Sequence, residues 1–411
     1  MIKLLTETKG VLVMILRDDY LNKLIAYEEA DLIRVITGVR RSGKSTILEM
    51  YKGYLSQNRP GEIIVHINLE DLPYISIRGK KDLLKLLIDE LGDIKHNKRY
   101  HLLLDEIQLV NNWEEVVNGL YGRKNVKLVI TGSNAKLLSS ELSTLLAGRY
   151  VEIKVLPLSF KEFLKFKGVE NKEDLQKHFQ NFLDYGSFPG TVLSRNENLQ
   201  RDYLEGLYSS ILIRDIVSRY QIRDAGALQS IVSFVFEMIG RPIVVNNLVN
   251  TIKSAGGSTS YETINKYIDA LREAFVIYSV EMYDVKGRKK LTASRRYYIV
   301  DTGLRNIRVN PSAKNMGSLL ENIVYLELIR RGYRVYAGSI DGYEIDFIAE
   351  KPGEKIYVQV SMSILDESTK ERELRPLNLI KDNYPKYILT LDDYDLSENG
   401  IIHENIINFL L

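Results

Sequence analysis

Gly38-Val39-Arg40-Arg41-Ser42-Gly43-Lys44-Ser45-Thr46 is the stretch that decides the fold. It fits the pattern G-x-x-x-x-G-K-[ST] of a phosphate-binding loop. Ile33–Thr37 before it reads as a buried strand, and Thr46–Tyr51 after it as the first turns of a helix. Strand, glycine loop and helix start together supply what a phosphate needs. Gly38 and Gly43 let the backbone wrap closely, so that the N–H groups of Arg40, Arg41, Ser42 and their neighbours point at a β-phosphate. The helix N-terminus at Lys44, Ser45 and Thr46 adds a positive dipole end. Lys44 places a point charge on the β- and γ-phosphates, and the Ser45 hydroxyl is a Mg²⁺ ligand.

Sixty residues on, Tyr100-His101-Leu102-Leu103-Leu104-Asp105-Glu106 is an apolar run ending in two carboxylates. Acidic groups at the C-terminal end of a parallel strand face the ligand crevice of an open α/β sheet. Asp105 is placed to hold Mg²⁺ through water, and Glu106 to polarise the water that attacks a γ-phosphate. Further candidate strands are Ile63–Leu69, Val126–Thr131 and Val151–Val155, alternating with helical stretches such as Asp82–Leu91. That alternation predicts a parallel sheet covered on both faces. Val126–Thr131 runs into Gly132-Ser133-Asn134. Ser133 or Asn134 would sense a γ-phosphate from there, or cap the next helix. Arg149 follows Gly148 just before the last strand. It reads as a finger to a neighbouring subunit's phosphate or as a plain surface arginine.

Composition narrows the setting. The chain has 411 residues, 45% hydrophobic and 27% charged, with net charge +2. That balance carries no global nucleic-acid signature, so any such contact must use local patches. Cysteine is absent, which excludes disulfides, thiolate catalysis and cysteine zinc sites. No apolar run approaches the ~18 residues of a membrane span. The short apolar patch Val11–Leu16 is interrupted by Arg17 and Asp18 too soon for a signal peptide. A cytoplasmic protein without membrane contact is the expectation.

Beyond residue 155 the rhythm changes. Leu156–Asn198 is largely helical with a stripe of phenylalanines, read as core, and Arg201–Asp224 as one helix with Arg214, Arg219 and Arg223 near its end. Helices are then expected at Leu228–Ile239, Asn246–Ser254 and Tyr261–Ala274, the last capped by Ser258 or Thr259. A strand at Val276–Tyr283, a basic loop Lys286–Lys290 and a returning strand at Arg296–Val300 complete the outline of a winged helix. Tyr261, Asn265 and Lys266 would face a DNA groove, and Arg288, Lys289 and Lys290 would meet phosphates. The same module also serves as a protein contact.

The last hundred residues place Glu321 on a helix (Gly317–Gly332), Asp346 on a strand and Gln359-Val360-Ser361 on the next strand. Helical Glu, strand Asp and strand Glu-x-Lys is the layout of restriction-endonuclease-like nucleases, in which carboxylates hold Mg²⁺ beside a lysine. Here Gln359 and Ser361 stand where the Glu and Lys belong, so a fold of that kind that does not cut is expected.

These stretches together resemble a prokaryotic family of AAA+ ATPases with a C-terminal domain of unknown function. The match runs through Gly38–Thr46, Asn68–Asp71, Asp105–Gln108, Thr131–Asn134, Ala147–Arg149, Leu156–Phe160, Val300–Arg305 and Leu320–Asn322. The resemblance implies an α/β chain in four parts: a P-loop AAA+ parallel-sheet core at 1–160, a helical lid or linker at 161–224, a winged helix at 225–300 and a nuclease-like α/β domain at 301–411. It also implies ATP rather than another nucleotide, Mg²⁺, and more weight on Arg149 as a finger in a homo-oligomer. Coupling of ATP turnover to DNA is the leading expectation. The alternatives are a nucleotide-gated switch that binds a protein partner and, disfavoured by Gln359 and Ser361, an ATP-dependent nuclease.

Overall fold

The computed structural model describes residues 5–8, 11–138, 148–169, 174–254, 259–287, 289–309 and 315–411. The backbone groups into two compact units, Met1–Pro157 with Glu273–Phe275, and Leu158–Arg272 with Val276–Leu411.

The first unit opens with an antiparallel hairpin, β1 (Leu5–Thr8) and β2 (Val11–Met14), which the sequence reading did not anticipate. Helix α1 (Asp18–Ala26) follows, and then β3 (Ile33–Thr37), α2 (Lys44–Asn58), β4 (Ile63–Asn68), α3 (Lys80–Leu91), β5 (Tyr100–Asp105), α4 (Trp113–Tyr121), β6 (Val126–Gly132) and β7 (Tyr150–Lys154). The five strands β3–β7 form one parallel sheet in the order β4-β5-β6-β3-β7. Each expected strand of this sheet is present, with ends shifted by a residue or two.

Side chains alternate across a strand, and here both faces are apolar because helices cover both. Ile33 and Val35 of β3, with Leu102 and Leu104 of β5, pack under α3 and α4 against Leu83, Leu87 and Trp113. Ile36 and Leu103, one residue out of phase, face α1 and α2 and meet Leu24, Ile47 and Leu55. Burying each such side chain contributes roughly 1.5–3 kcal/mol. The strand order puts β6 between the two motif-bearing strands, as a sensor position after β6 requires.

In the second unit, α5 (Phe160–Lys167) starts in a capping box. Ser159 Oγ accepts from the Glu162 N–H at 3.0 Å, and Glu162 accepts from the Ser159 N–H at 2.9 Å. The phenylalanine stripe is core: Phe160 meets Phe179 and Phe182 edge-on at 5.5 and 5.3 Å, across α6 (Leu175–Tyr185). After α7 (Pro189–Val192) comes α8 (Glu197–Ser210), which starts earlier than expected and passes into a π-helical stretch, Ile211–Val217, and a last turn at Ser218–Tyr220.

Next come α9 (Ala225–Glu237), β8 (Pro242–Ile243), α10 (Val245–Ser254), α11 (Tyr261–Glu273), β9 (Ile277–Asp284) and β10 (Lys289–Ile299). The returning strand is longer than expected. Lys289 and Lys290 belong to its backbone, paired with Asp284 and Tyr283, and not to a loop. Of the two residues expected to cap α11, Ser258 lies outside the described residues, and Ser260 takes the role instead of Thr259, accepting from the Thr263 N–H at 3.2 Å. A short α12 (Thr302–Asn306), α13 (Met316–Arg330), β11 (Arg334–Ile340), β12 (Tyr343–Lys351), β13 (Glu354–Val360), α14 (Glu367–Leu379), β14 (Lys386–Thr390), β15 (Ile401–Asn405) and α15 (Ile406–Phe409) complete the chain.

All eight strands of this unit join one mixed sheet, β15-β14-β13-β12-β11-β9-β10-β8. The seam between the hairpin and the C-terminal strands is a parallel pairing of three residues, Ala337, Gly338 and Ser339 against Met282, Tyr283 and Asp284. Gly338 is needed there, since a Cβ would sit 2.8 Å from that of Ile345. Among the described residues no helix is long and apolar enough to cross a membrane.

Candidate functional site

The ends of β3, β5 and β6 converge at the loop between β3 and α2. Gly38 turns the chain with φ +148°, and a Cβ there would stand 2.2 Å from the Val155 carbonyl oxygen, so only glycine fits. Gly43 has φ +102°, and Arg41 is held at φ +62°, a conformation that costs a non-glycine residue roughly 1–3 kcal/mol. Lys44 begins the helix, only 3% exposed, and its Nζ donates to the carbonyls of Gly38 and Val39 at 3.0 and 3.1 Å. Ser42 Oγ is buried without a hydrogen bond. Ser45 is exposed and Thr46 half-buried on the first turn. Arg40 reaches Glu70 at 3.2 Å, beyond the end of β4, while Arg41 faces solvent.

The carboxylates stand opposite. Asp105 is buried, accepts from Thr131 Oγ1, and has the Ser45 hydroxyl beside it. Burial first, then the neighbouring Glu106, push its carboxyl up to about 6, while the Ser45 and Thr131 hydroxyls and Lys44 pull the other way. Glu106 sits just past β5 with φ +55°, its N–H held by Thr131 Oγ1 at 3.0 Å. Its carboxylate lies 3.7 Å from Lys44 Nζ, accepts from Gln108 Nε2, and accepts from Ser133 Oγ at 3.3 Å. Burial opposes its charge, but Lys44, Gln108, Arg40 and Ser133 together outweigh burial and hold Glu106 below the usual carboxylate range. Glu106 is therefore a charged base at neutral pH, beside a lysine with no other carboxylate as near among the described ion pairs.

Ser133 and Asn134 are both buried at the end of β6, and it is Ser133 that touches Glu106. The sequence reading missed three residues. Thr131 links both carboxylate positions, and Gln108 bridges Glu106 to Ser133 at 3.3 Å. The run Asp105–Gln108 carried that signal. Arg17 is fully buried, donating to the Ser42 carbonyl at 2.8 Å and the Leu156 carbonyl at 3.0 Å, so it fastens the loop to the exit of β7. A lone arginine ahead of α1 has no pattern to mark it.

Arg149 stands apart. It precedes β7 at the N-terminal end of the sheet, opposite the phosphate loop, with its carbonyl accepting from the Ile33 N–H at 2.8 Å. Its guanidinium meets Asn118 Oδ1 at 2.8 Å and lies over the Tyr121 ring. It does not reach the loop of its own chain. In the second unit, α11 buries Ile264, Ile268 and Leu271, and turns Tyr261 and Lys266 to solvent with Asn265 half-buried between them. Arg288 lies outside the described residues.

The C-terminal acidic residues also come together. Val360 N–H donates to Asp346 at 2.9 Å, and the Asp346 N–H donates to Gln359, whose amide donates to Glu373 at 2.8 Å. Arg296 of β10 approaches Asp346 at 3.8 Å and Glu344 at 2.6 Å. Burial pushes Asp346 up to about 7, and burial with Asp346 beside it drives Glu321 well above the usual range. Ser361 turns its hydroxyl to the Ser363 carbonyl at 3.2 Å.

A family model of an AAA domain matches residues 30–164, and a model of a domain of unknown function matches residues 176–314. An uncharacterized protein of Haemophilus influenzae is 41% identical over 401 residues, 97% of this chain and 99% of that one. An uncharacterized protein of Methanocaldococcus jannaschii is 32% identical over 381 residues, 88% of this chain and 82% of that one. Among solved structures, Cdc6p of Pyrobaculum aerophilum covers 79% of this chain and 98% of its own at 11% identity and a TM-score of 0.32, a likeness that carries no functional argument.

Proposed function

We propose that this chain, which carries an AAA domain at residues 30–164 and belongs to one family with the Haemophilus influenzae protein, hydrolyses ATP at the β3–β5–β6 strand ends and uses the turnover to act on DNA. The observation that carries the first half is the Glu106–Lys44 arrangement. A carboxylate kept charged by a lysine at 3.7 Å, and aimed by Gln108 and Ser133, is what a water-orienting base requires. The orphaned Ser42 hydroxyl and the helix start at Lys44 suit a β-phosphate. Lys44 would leave the Gly38 and Val39 carbonyls for the β- and γ-phosphates. Mg²⁺, held by Ser45 and through water by Asp105, would neutralise charge growing on the bridging oxygens. Glu106 orients a water whose oxygen bonds to the γ-phosphorus as the β,γ-bridging bond breaks, giving ADP and phosphate. Ser133 donates to Glu106, and so is placed to register loss of the γ-phosphate, with Asn134 buried beside it.

Arg149, on the far end of the sheet, would serve a neighbouring chain's site if it is a finger, which makes a homo-oligomer part of this reading; its bond to Asn118 and place over Tyr121 equally suit a plain surface arginine. The three helices α9–α11 with β8, β9 and β10 support a winged helix, with Tyr261, Asn265 and Lys266 on the open face of α11 and Lys289 and Lys290 on the hairpin as DNA contacts. The C-terminal cluster supports a nuclease-like fold that does not cut, because Arg296 and no lysine pairs with Asp346 among the described ion pairs, and Gln359 is spent on Asp346 and Glu373.

The test is steady-state ATP hydrolysis and nucleotide binding of wild type, Glu106→Gln and Lys44→Ala, with and without duplex DNA, over a range of protein concentrations. Glu106→Gln is expected to bind ATP and not turn it over, and Lys44→Ala to do neither. Normal turnover in Glu106→Gln sinks the assignment. Turnover indifferent to DNA moves the target to a protein partner.

A further inference from the structure

The opposite end of the same sheet carries a group that nucleotide chemistry does not use. Glu28 follows α1, Glu62 precedes β4, and His101 is the second residue of β5. One ligand atom from each lies within 4.8 Å of the other two. Asp105 is four residues along the same strand, about 13 Å away at the rise of a strand. We propose that Glu28, Glu62 and His101 bind a divalent transition-metal ion, with zinc the best match.

Three observations carry this. The Glu28 carboxylate is 1% exposed; Arg59 holds one oxygen at 2.6 Å, and the other, Oε2, is buried with no hydrogen bond. A buried carboxylate oxygen without a partner is costly, and a cation would satisfy it. Second, the arginine that Glu62 pairs with is shared: Arg99 bonds Glu29 bidentately at 2.9 and 3.1 Å and stands 3.8 Å from Glu62. Third, His101 is fully buried and pairs with Glu62 through Nε2, so imidazole and carboxylate already converge.

The donor set selects the ion. One imidazole nitrogen and two carboxylate oxygens suit zinc and disfavour Mg²⁺ or Ca²⁺, which take oxygen ligands. Tetrahedral ligands about 2.1 Å from zinc stand about 3.4 Å apart, so the widest separation needs to close by no more than about 1.4 Å, while Glu62 and His101 Nε2, now hydrogen-bonded, would open to admit the ion. Glu62, with a 22% exposed side chain, is the member free to move and the entry side for the ion and its fourth ligand, water.

The experiment uses the full chain, nucleotide-free and stripped with a chelator, in an Asp105→Asn background that silences the phosphate-end metal position. Zn²⁺ alone is titrated against a chromophoric competitor, and Co²⁺ alone is followed by its visible absorption. The expected result is one ion per chain, weakened about ten-fold or more by Glu62→Gln, a rim change that spares the core, and abolished by His101→Gln. Glu49→Gln, which removes the carboxylate beside His66, should leave the affinity unchanged. Zinc should also raise the unfolding temperature of the parent and not that of Glu62→Gln. No stoichiometric ion in the parent, or equal affinity in Glu62→Gln, overturns the proposal.

Discussion

Two acidic pairs in this chain share a raised aspartate, Asp105 at about 6 and Asp346 at about 7, and part at the glutamate. Asp105 and Glu106 adjoin Lys44 and a set of hydroxyl and amide donors, and Glu106 is held below the usual range. Glu321 and Asp346 adjoin Arg296, which also serves Glu344, and both are raised. The residue types are alike and both sites are buried. The difference is the neighbouring charge: a lysine 3.7 Å from one carboxylate keeps it ionised, whereas one arginine shared among carboxylates does not. The first pair keeps a charged base, Glu106, at neutral pH; the second, with both members raised, gives up part of its charge and with it part of its hold on a metal.

The contrast breaks most visibly at Glu106. Replacing it with Gln keeps the shape and the Ser133 contact and removes the charge, and turnover should fall by about 10²-fold or more with ATP binding retained. A similarly plain test applies to the second pair. Wild type incubated with plasmid DNA in Mg²⁺ or Mn²⁺ should leave it uncut; cleavage that disappears in Asp346→Ala would show that the raised pair is a working site after all.

Stability against pH sharpens the comparison. An unfolded aspartate titrates near 3.9, while Asp346 in the folded chain is pushed up to about 7. Between those values the folded state binds more protons than the unfolded one, so Asp346 costs stability as pH rises. Asp346→Asn removes that cost. From about pH 5 to pH 8 the variant should gain on wild type by roughly 1–3 kcal/mol in urea unfolding; a constant difference would mean that Asp346 is charged like an ordinary carboxylate. The smallest effect expected is at Gln108. Gln108→Ala leaves Lys44 in place and removes only the aiming group, so turnover should drop about three- to ten-fold with unchanged ATP affinity. A loss as large as that of Glu106→Gln would make Gln108 more than a positioning residue.

How much of this was legible in the sequence follows from the range of each interaction. The loop, the Asp105–Glu106 strand end and the parallel sheet are written locally, in glycine spacing and apolar runs, and they fold where those patterns put them. Both faces of β3 are covered, so every residue from Ile33 to Thr37 is buried, Arg34 included. What stayed hidden depends on distant partners. Arg17 reaches carbonyls 25 and 139 residues away, and nothing near it marks that reach. The hairpin end was misjudged for a related reason: Lys289 and Lys290 look like loop until β9 is there to pair with them. The Glu28–Glu62–His101 group has no sequence spacing at all, since strand pairing of β4 with β5 assembles it.

The three-rung seam between β9 and β11 has a mechanical side. A pull along the length of β9 would load its hydrogen bonds to β11 in shear, together rather than one by one. β11 in turn pairs with β12, which carries Asp346, and β12 with β13, which carries Gln359, so the basic hairpin and the acidic cluster share one continuous sheet.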